Sequence, residues 1–128
     1  MELLATDRVA GPGVLGVDCL DPKKLPDADL YFSNLLLHHL EDGDLAKMFE
    51  IQRRKARLGF AHYDLHRHVL HYYAAMFALR FSGLHPILLH DGLRSIQQGY
   101  TRSDLGVLAP MASIHWRFPF RWLVSWRH

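Results

Sequence analysis

An α/β domain, its sheet mostly parallel and finished by an antiparallel hairpin, is the expectation for this 128-residue chain. Three features lead there. Short apolar runs at Val14–Val17, Leu30–Ser33 and Leu58–Leu65 have the length of strands. Residues at helical spacing separate or follow the later two, and hydrophobic residues alternate with polar ones from Ile114 to Trp126. The length suits one domain, and 49% hydrophobic with 22% charged residues argues for a packed core over disorder, collagen or coiled coil.

The first ten residues, with Leu3, Leu4, Ala5 and Val9, read as the end of an amphipathic helix broken by Gly11-Pro12-Gly13. Val14–Val17 is too brief for a helix and reads as a buried strand closed by Asp18, Asp21 and Pro22. A polar connector over 23–27 leads to a second buried strand at Leu30–Ser33, which ends at Asn34 and the run Leu35-Leu36-Leu37-His38-His39-Leu40. A helix is expected to begin near Asp42. Glu41, Asp42 and Asp44 offer capping oxygens, Leu45, Met48, Phe49 and Gln52 share a face, and Arg53, Arg54, Lys55 and Arg57 sit where the helix dipole is negative.

Leu58–Leu65 is the third strand, with Asp64 near its end, and its place after a helix implies a parallel crossover. Residues 67–82 carry a helical stripe of Val69, Leu70, Tyr73, Met76 and Phe77, stopped by Gly83 and Pro86. A long loop is expected over 84–100. Thr101 and Asp104 have capping-box spacing ahead of Leu105 and Leu108, in a helix kept short by Gly106 and Pro110. On either side of Pro119, Ile114, Trp116 and Phe118 and then Phe120, Trp122, Val124 and Trp126 alternate with polar residues, which is the pattern of a hairpin.

Fifteen Lys and Arg against 13 Asp and Glu leave a net charge of +2, without the dense basic patch that nucleic-acid binding requires. No apolar stretch approaches the roughly 20 residues of a membrane span, and the opening residues carry no leader-like run. The single Cys19 suits a reducing compartment. A cytoplasmic protein that binds neither nucleic acid nor membrane is therefore expected.

Gly11, Gly13 and Gly16 match G-x-G-x-x-G, but that phosphate loop needs a strand before it and a helix after it, the reverse of the order read here. Among ten histidines, His62 and His66 straddle a strand end. His68 and His71 could share a helix face but have no cysteine and no H-E-x-x-H motif beside them, so no metal site is expected. Cys19 lacks the context of a nucleophile and no G-x-S-x-G elbow exists. What remains is position: ligands of a parallel α/β sheet bind beyond the carboxyl ends of its strands, here Asp18, residues 33–38 and residues 64–66.

The stretch Asp29-Leu30-Tyr31-Phe32-Ser33-Asn34-Leu35-Leu36-Leu37-His38-His39-Leu40 resembles the fourth-strand segment of class I S-adenosylmethionine-dependent methyltransferases. Val17-Asp18-Cys19-Leu20 with Pro26 is similar to the end of that family's third strand. His90-Asp91-Gly92, Tyr100-Thr101 and Phe118-Pro119-Phe120-Arg121 resemble the late part of its small-molecule members. The likeness runs from about Met1 to Trp126 and implies a partial Rossmann-like methyltransferase sheet. It implies one truncated domain over 1–128, without the family's first strand, glycine-rich loop or second strand. Because the family's strands run 3-2-1-4-5-7-6, the edge of Leu30–Ser33 would be bare. The early strand would have to move over to it, or a second copy or partner chain would cover it, failing which the fragment folds poorly.

The resemblance also implies S-adenosylmethionine as cofactor and a small-molecule methyl acceptor. Asp18 would receive the adenine amino group, Cys19 or Leu20 would pack on the ring, and Ser33, Asn34 and Leu35 would line the cofactor. His38, His39, Asp64 and His90 would face the acceptor, a histidine taking a hydroxyl proton while Asp64 orients it. Without the cofactor loop the alignment of acceptor, methyl and sulfur would be lost, so little activity is expected of the chain alone. A reading from another class is a non-catalytic α/β module that binds a partner through its sheet edge or through the hairpin bearing Trp116, Trp122 and Trp126.

Overall fold

In the computed structural model, which describes residues 5–7, 11–12, 14–83 and 85–128, the chain begins with β1 (Ala5–Asp7), β2 (Val14–Gly16) and β3 (Ala28–Asn34). A single 3-10 turn at Leu37–His39 leads into α1 (Asp42–Lys55) and β4 (Ala56–Leu65). Three helices follow, α2 (Val69–Arg80), α3 (Pro86–Gln98) and α4 (Arg102–Leu108), and β5 (Ser113–Arg117) and β6 (Arg121–Arg127) close the chain. The main sheet has the order β3-β4-β6-β5. β3 and β4 are parallel, and β6 runs antiparallel between β4 and β5, so three of the four strands point one way.

The core forms on one face of this sheet. Pleating sends alternate residues to opposite faces, and Phe60, Trp122 and Val124 all point toward α1 and α4. There they meet Leu45, Met48 and Phe49 of α1 and Leu105 of α4. The rings of Phe49 and Phe60 lie 5.3 Å apart, and each such buried side chain contributes about 1.5–3 kcal/mol. The expected charge pattern fixes α1: Asp42 and Asp44 occupy its first turn and Arg53, Arg54 and Lys55 its last. Glu50 holds Arg53 and Arg54 on the exposed side. The capping box of α4 forms as its spacing predicts, Asp104 N–H donating to Thr101 Oγ1 at 3.2 Å and Thr101 N–H to Asp104 Oδ2 at 2.8 Å.

Several expectations are corrected. Ala5–Asp7 is a strand, not part of a helix; residues 1–4 and 8–10 lie outside the described residues. β2 pairs in parallel with β1 in a separate two-stranded sheet, so it does not move over to β3. Neither β2 nor β3 is a buried strand: Leu15 is exposed, and Leu30 and Phe32 are 54% and 68% exposed on an edge with no outer partner among the described residues. Most of the expected loop at 84–100 is α3. His85 caps it by accepting the Ile87 N–H, and Pro86 stands in its first turn, where a missing N–H costs nothing, so this proline opens a helix. The stripe of α2 does form on a helix, but none of its residues is buried. It packs on α3, and Val69, Leu70, Tyr73 and Phe77 remain exposed.

Candidate functional site

Beyond the carboxyl ends of β3 and β4 the chain gathers its buried polar groups. β3 stops at Asn34, and Leu35 takes a left-handed backbone with φ 58° while its N–H donates to the Tyr63 carbonyl at 2.9 Å. This sends the chain into the Leu37–His39 turn, which packs on the end of β4. Asp64 ties the two strand ends together. Its Oδ2 accepts the Leu37 N–H at 2.6 Å, and its Oδ1 accepts the Leu65 N–H at 2.6 Å and lies 2.7 Å from His38 Nδ1. A carboxylate oxygen can only accept, so His38 donates through Nδ1–H. His38 is 6% exposed, and the ring of exposed His39 lies 4.1 Å from its ring.

Tyr100 closes the floor. Its hydroxyl donates to the Leu40 carbonyl at 2.7 Å, and its own carbonyl accepts Trp122 Nε1–H at 2.9 Å and Arg67 N–H at 3.1 Å. Burial, reinforced by Asp42, Asp64 and Asp104, pushes this phenol up to about 12, which keeps it a donor. The rim continues through His66, whose ring lies 4.5 Å from Trp122. Beside it His71 donates from Nδ1 to the His66 carbonyl at 2.9 Å and stacks on Phe120 at 4.9 Å. Burial holds His66 below the ordinary histidine value, and His68 and His71 push it the same way.

A second polar chain crosses under β3. Gln52 Oε1 accepts from His62 Nε2 at 2.7 Å, which leaves His62 Nδ1 to accept the Ser33 hydroxyl at 2.6 Å. Neutral imidazole satisfies both bonds. Full burial pulls His62 down to about 3, although the Asp64 carboxylate pulls it upward. Folding thus holds His62 neutral while the unfolded chain takes up a proton near pH 6.5. This contribution is intact above pH 6.5 and is lost as pH falls toward 3, at about 1.4 kcal/mol per pH unit. Urea unfolding at several pH values should lose on the order of 3 kcal/mol between pH 6.5 and 4.5. A flat profile over that range would contradict the neutral, buried imidazole.

Of the expected acceptor-facing residues, His38, His39 and Asp64 are brought together. His90 makes no hydrogen bond to any of them; it is exposed on α3 beside a shallow hollow lined by Tyr72, Leu93, Arg94 and Gln97. Among the expected cofactor residues, Asp18 Oδ1 accepts the Leu20 N–H at 2.9 Å, and Cys19 and Leu20 pack, partly buried, on the core. Ser33 is engaged with His62, whereas Asn34 and Leu35 are exposed at the end of β3. Among the described residues no group of three or more His, Cys, Asp or Glu could hold a metal ion.

Sequence reasoning passed over Tyr100, Gln52 and His62 as parts of this network. One signal was present: Phe60, His62 and Asp64 alternate on the core side of β4, and a histidine between two inward residues has to find buried partners. No family model and no curated protein sequence matches the chain.

Proposed function

We propose that the chain carries the acceptor side of a class I S-adenosylmethionine-dependent methyltransferase fold acting on a small molecule, with His38 as proton acceptor and Asp64 as the group that orients it. The strand order carries this reading. β3-β4-β6-β5 places the last strand inside the one before it, as the 4-5-7-6 portion of that family's order does. Support also comes from the His38–Asp64 pair at the strand ends, where ligands of such sheets bind. With Nδ1–H fixed on Asp64, His38 Nε2 is the atom to take a proton from an acceptor hydroxyl as its oxygen becomes a nucleophile.

The residues fit the cofactor on one side only. Asp18 Oδ1 and the Ser33 hydroxyl are already hydrogen-bonded within the chain, leaving Asn34, Leu35 and the Asp18–Leu20 turn to border an adenosyl group. Val14–Gly16 is strand β2, where a phosphate-type cradle needs a helix to follow its glycines. We therefore expect weak, millimolar binding of the demethylated cofactor and no micromolar phase by calorimetry, with NMR shifts confined to Asp18–Leu20, Asn34 and Leu35. The absence of any shift at those residues would sink the family reading.

The exposed edge of β3 favours a second reading, a non-catalytic α/β module that binds a partner. Under it the cofactor shifts are absent and a partner protects the amides of Leu30 and Phe32 from exchange.

A further inference from the structure

We infer that the uncovered face of the four-stranded sheet is a docking surface for an acidic amphipathic helix of another polypeptide, an inference that does not rest on the methyltransferase reading. One face of the sheet holds the core against α1 and α4. On the opposite face Leu30 and Phe32 of β3 are exposed and Ala61 and Tyr63 of β4 and Leu123 of β6 are half-buried, none of them in the core cluster, while Leu65 at the far end of β4 is covered. Parallel strand pairs such as β3–β4 are normally covered on both sides, because an apolar sheet face left in water forfeits about 25 cal/mol for each Å² it could bury.

Charge identifies the missing layer. On the β5 and β6 half of this face stand Arg117, Arg121 and Arg127 with His115, and from Leu30 onward the face carries no Asp or Glu. Among the described residues none of the three arginines meets a carboxylate within ion-pair distance, whereas Arg53, Arg54, Arg57 and Arg67 all do. Arg117 and Arg127 are exposed, so their guanidiniums are open to a carboxylate from a partner. At the Leu30–Arg127 end of the sheet a hollow lined by residues of both faces, Leu30, Ala61 and Arg127 from this one and Phe60 and Trp126 from the core side, adjoins the apolar patch. Apolar surface beside a row of unpaired guanidiniums matches a helix with a leucine stripe flanked by glutamates, since helices are what cover parallel sheet faces.

Two other occupants fit parts of this surface less well. A second copy would bring arginines against arginines in a face-to-face pair. Single-stranded nucleic acid would use the arginines, but the apolar half is mostly aliphatic, with Phe32 and Tyr63 as its aromatic platforms.

The test uses the whole chain and a labelled synthetic helix of about 18 residues with leucines on one face and glutamates on its flanks. Fluorescence anisotropy should give micromolar binding that weakens as salt rises. Replacing the glutamates by lysines should weaken it by roughly tenfold or more, as should Arg117→Glu combined with Arg127→Glu, or Phe32→Ser alone. All three substituted positions are exposed, and circular dichroism confirms that the variants fold. Equal binding of the lysine peptide, or no binding of either peptide, would overturn the inference. So would tighter binding of an oligouridine of about 12 nucleotides, or sedimentation showing a dimer that Phe32→Ser dissociates.

Discussion

Asp64→Ala should lower the stability of this protein by about 3–5 kcal/mol, a fall in thermal midpoint of about 10–20 °C for a chain of this size. The carboxylate is buried and accepts from Leu37 N–H, Leu65 N–H and His38 Nδ1–H, so alanine strands three donors where water has little access. Asp64→Asn is not a rescue. An amide supplies one acceptor oxygen and turns an NH₂ group toward a backbone N–H, so it should still cost about 2–3 kcal/mol. His38→Ala leaves both backbone bonds in place and should cost less than either. If Asp64→Asn melts with the wild type, the short bonds at this corner do not hold the Leu37–His39 turn to β4.

Gly59→Ala should be of similar size, about 3–5 kcal/mol, through a different mechanism. Gly59 has φ 149°, which side chains rarely adopt, and it lies where β4 pairs with the last residues of β6. A Cβ at this position would sit inside the envelope of the Trp126 carbonyl oxygen and 3.0 Å from Arg127 Cα, both backbone atoms that cannot rotate away. The sheet must part at Gly59–Arg127 to admit it. Gly43→Ala is the control: it lies in the first turn of α1 with nothing within 4 Å of an added Cβ, and it should be neutral or stabilising by up to about 1 kcal/mol. Equal melting temperatures for the two variants would refute this account of Gly59.

Much of the fold was legible where local chemistry decides. The capping box at Thr101–Asp104, the charged ends of α1 and the alternation through β5 and β6 each rest on residues within a few positions of one another, and each formed as read. α3 is not legible in the sequence because Gly83 and Pro86 read as the stop of the helix before them. A proline ends a helix that precedes it and opens one that follows it, and the distinction needs the downstream stripe of Ile87, Leu88 and Ile96 to be weighed with it. Within the site, the pairing of His38 with Asp64 spans 26 positions and Gln52 with His62 spans 10, distances at which spacing carries no contact information.

Burial was the harder quantity. Val14–Val17, Leu30–Ser33 and the α2 stripe are all apolar enough to belong to a core, yet Leu15, Leu30, Phe32 and Phe77 face outward. Hydrophobicity in the chain records that a surface gains by being covered. Whether it is covered depends on which other elements reach it, and that is a property of strand order and packing. The residues alone therefore established an α/β domain, its helix caps and its closing hairpin, because those are governed by dihedral preference and nearby hydrogen bonds. The three-dimensional arrangement established that, among the described residues, β3 is an edge with no outer partner, that Leu30 and Phe32 are exposed on it, and that Asp64 joins two strand ends, because these follow from groups brought together across long stretches of chain.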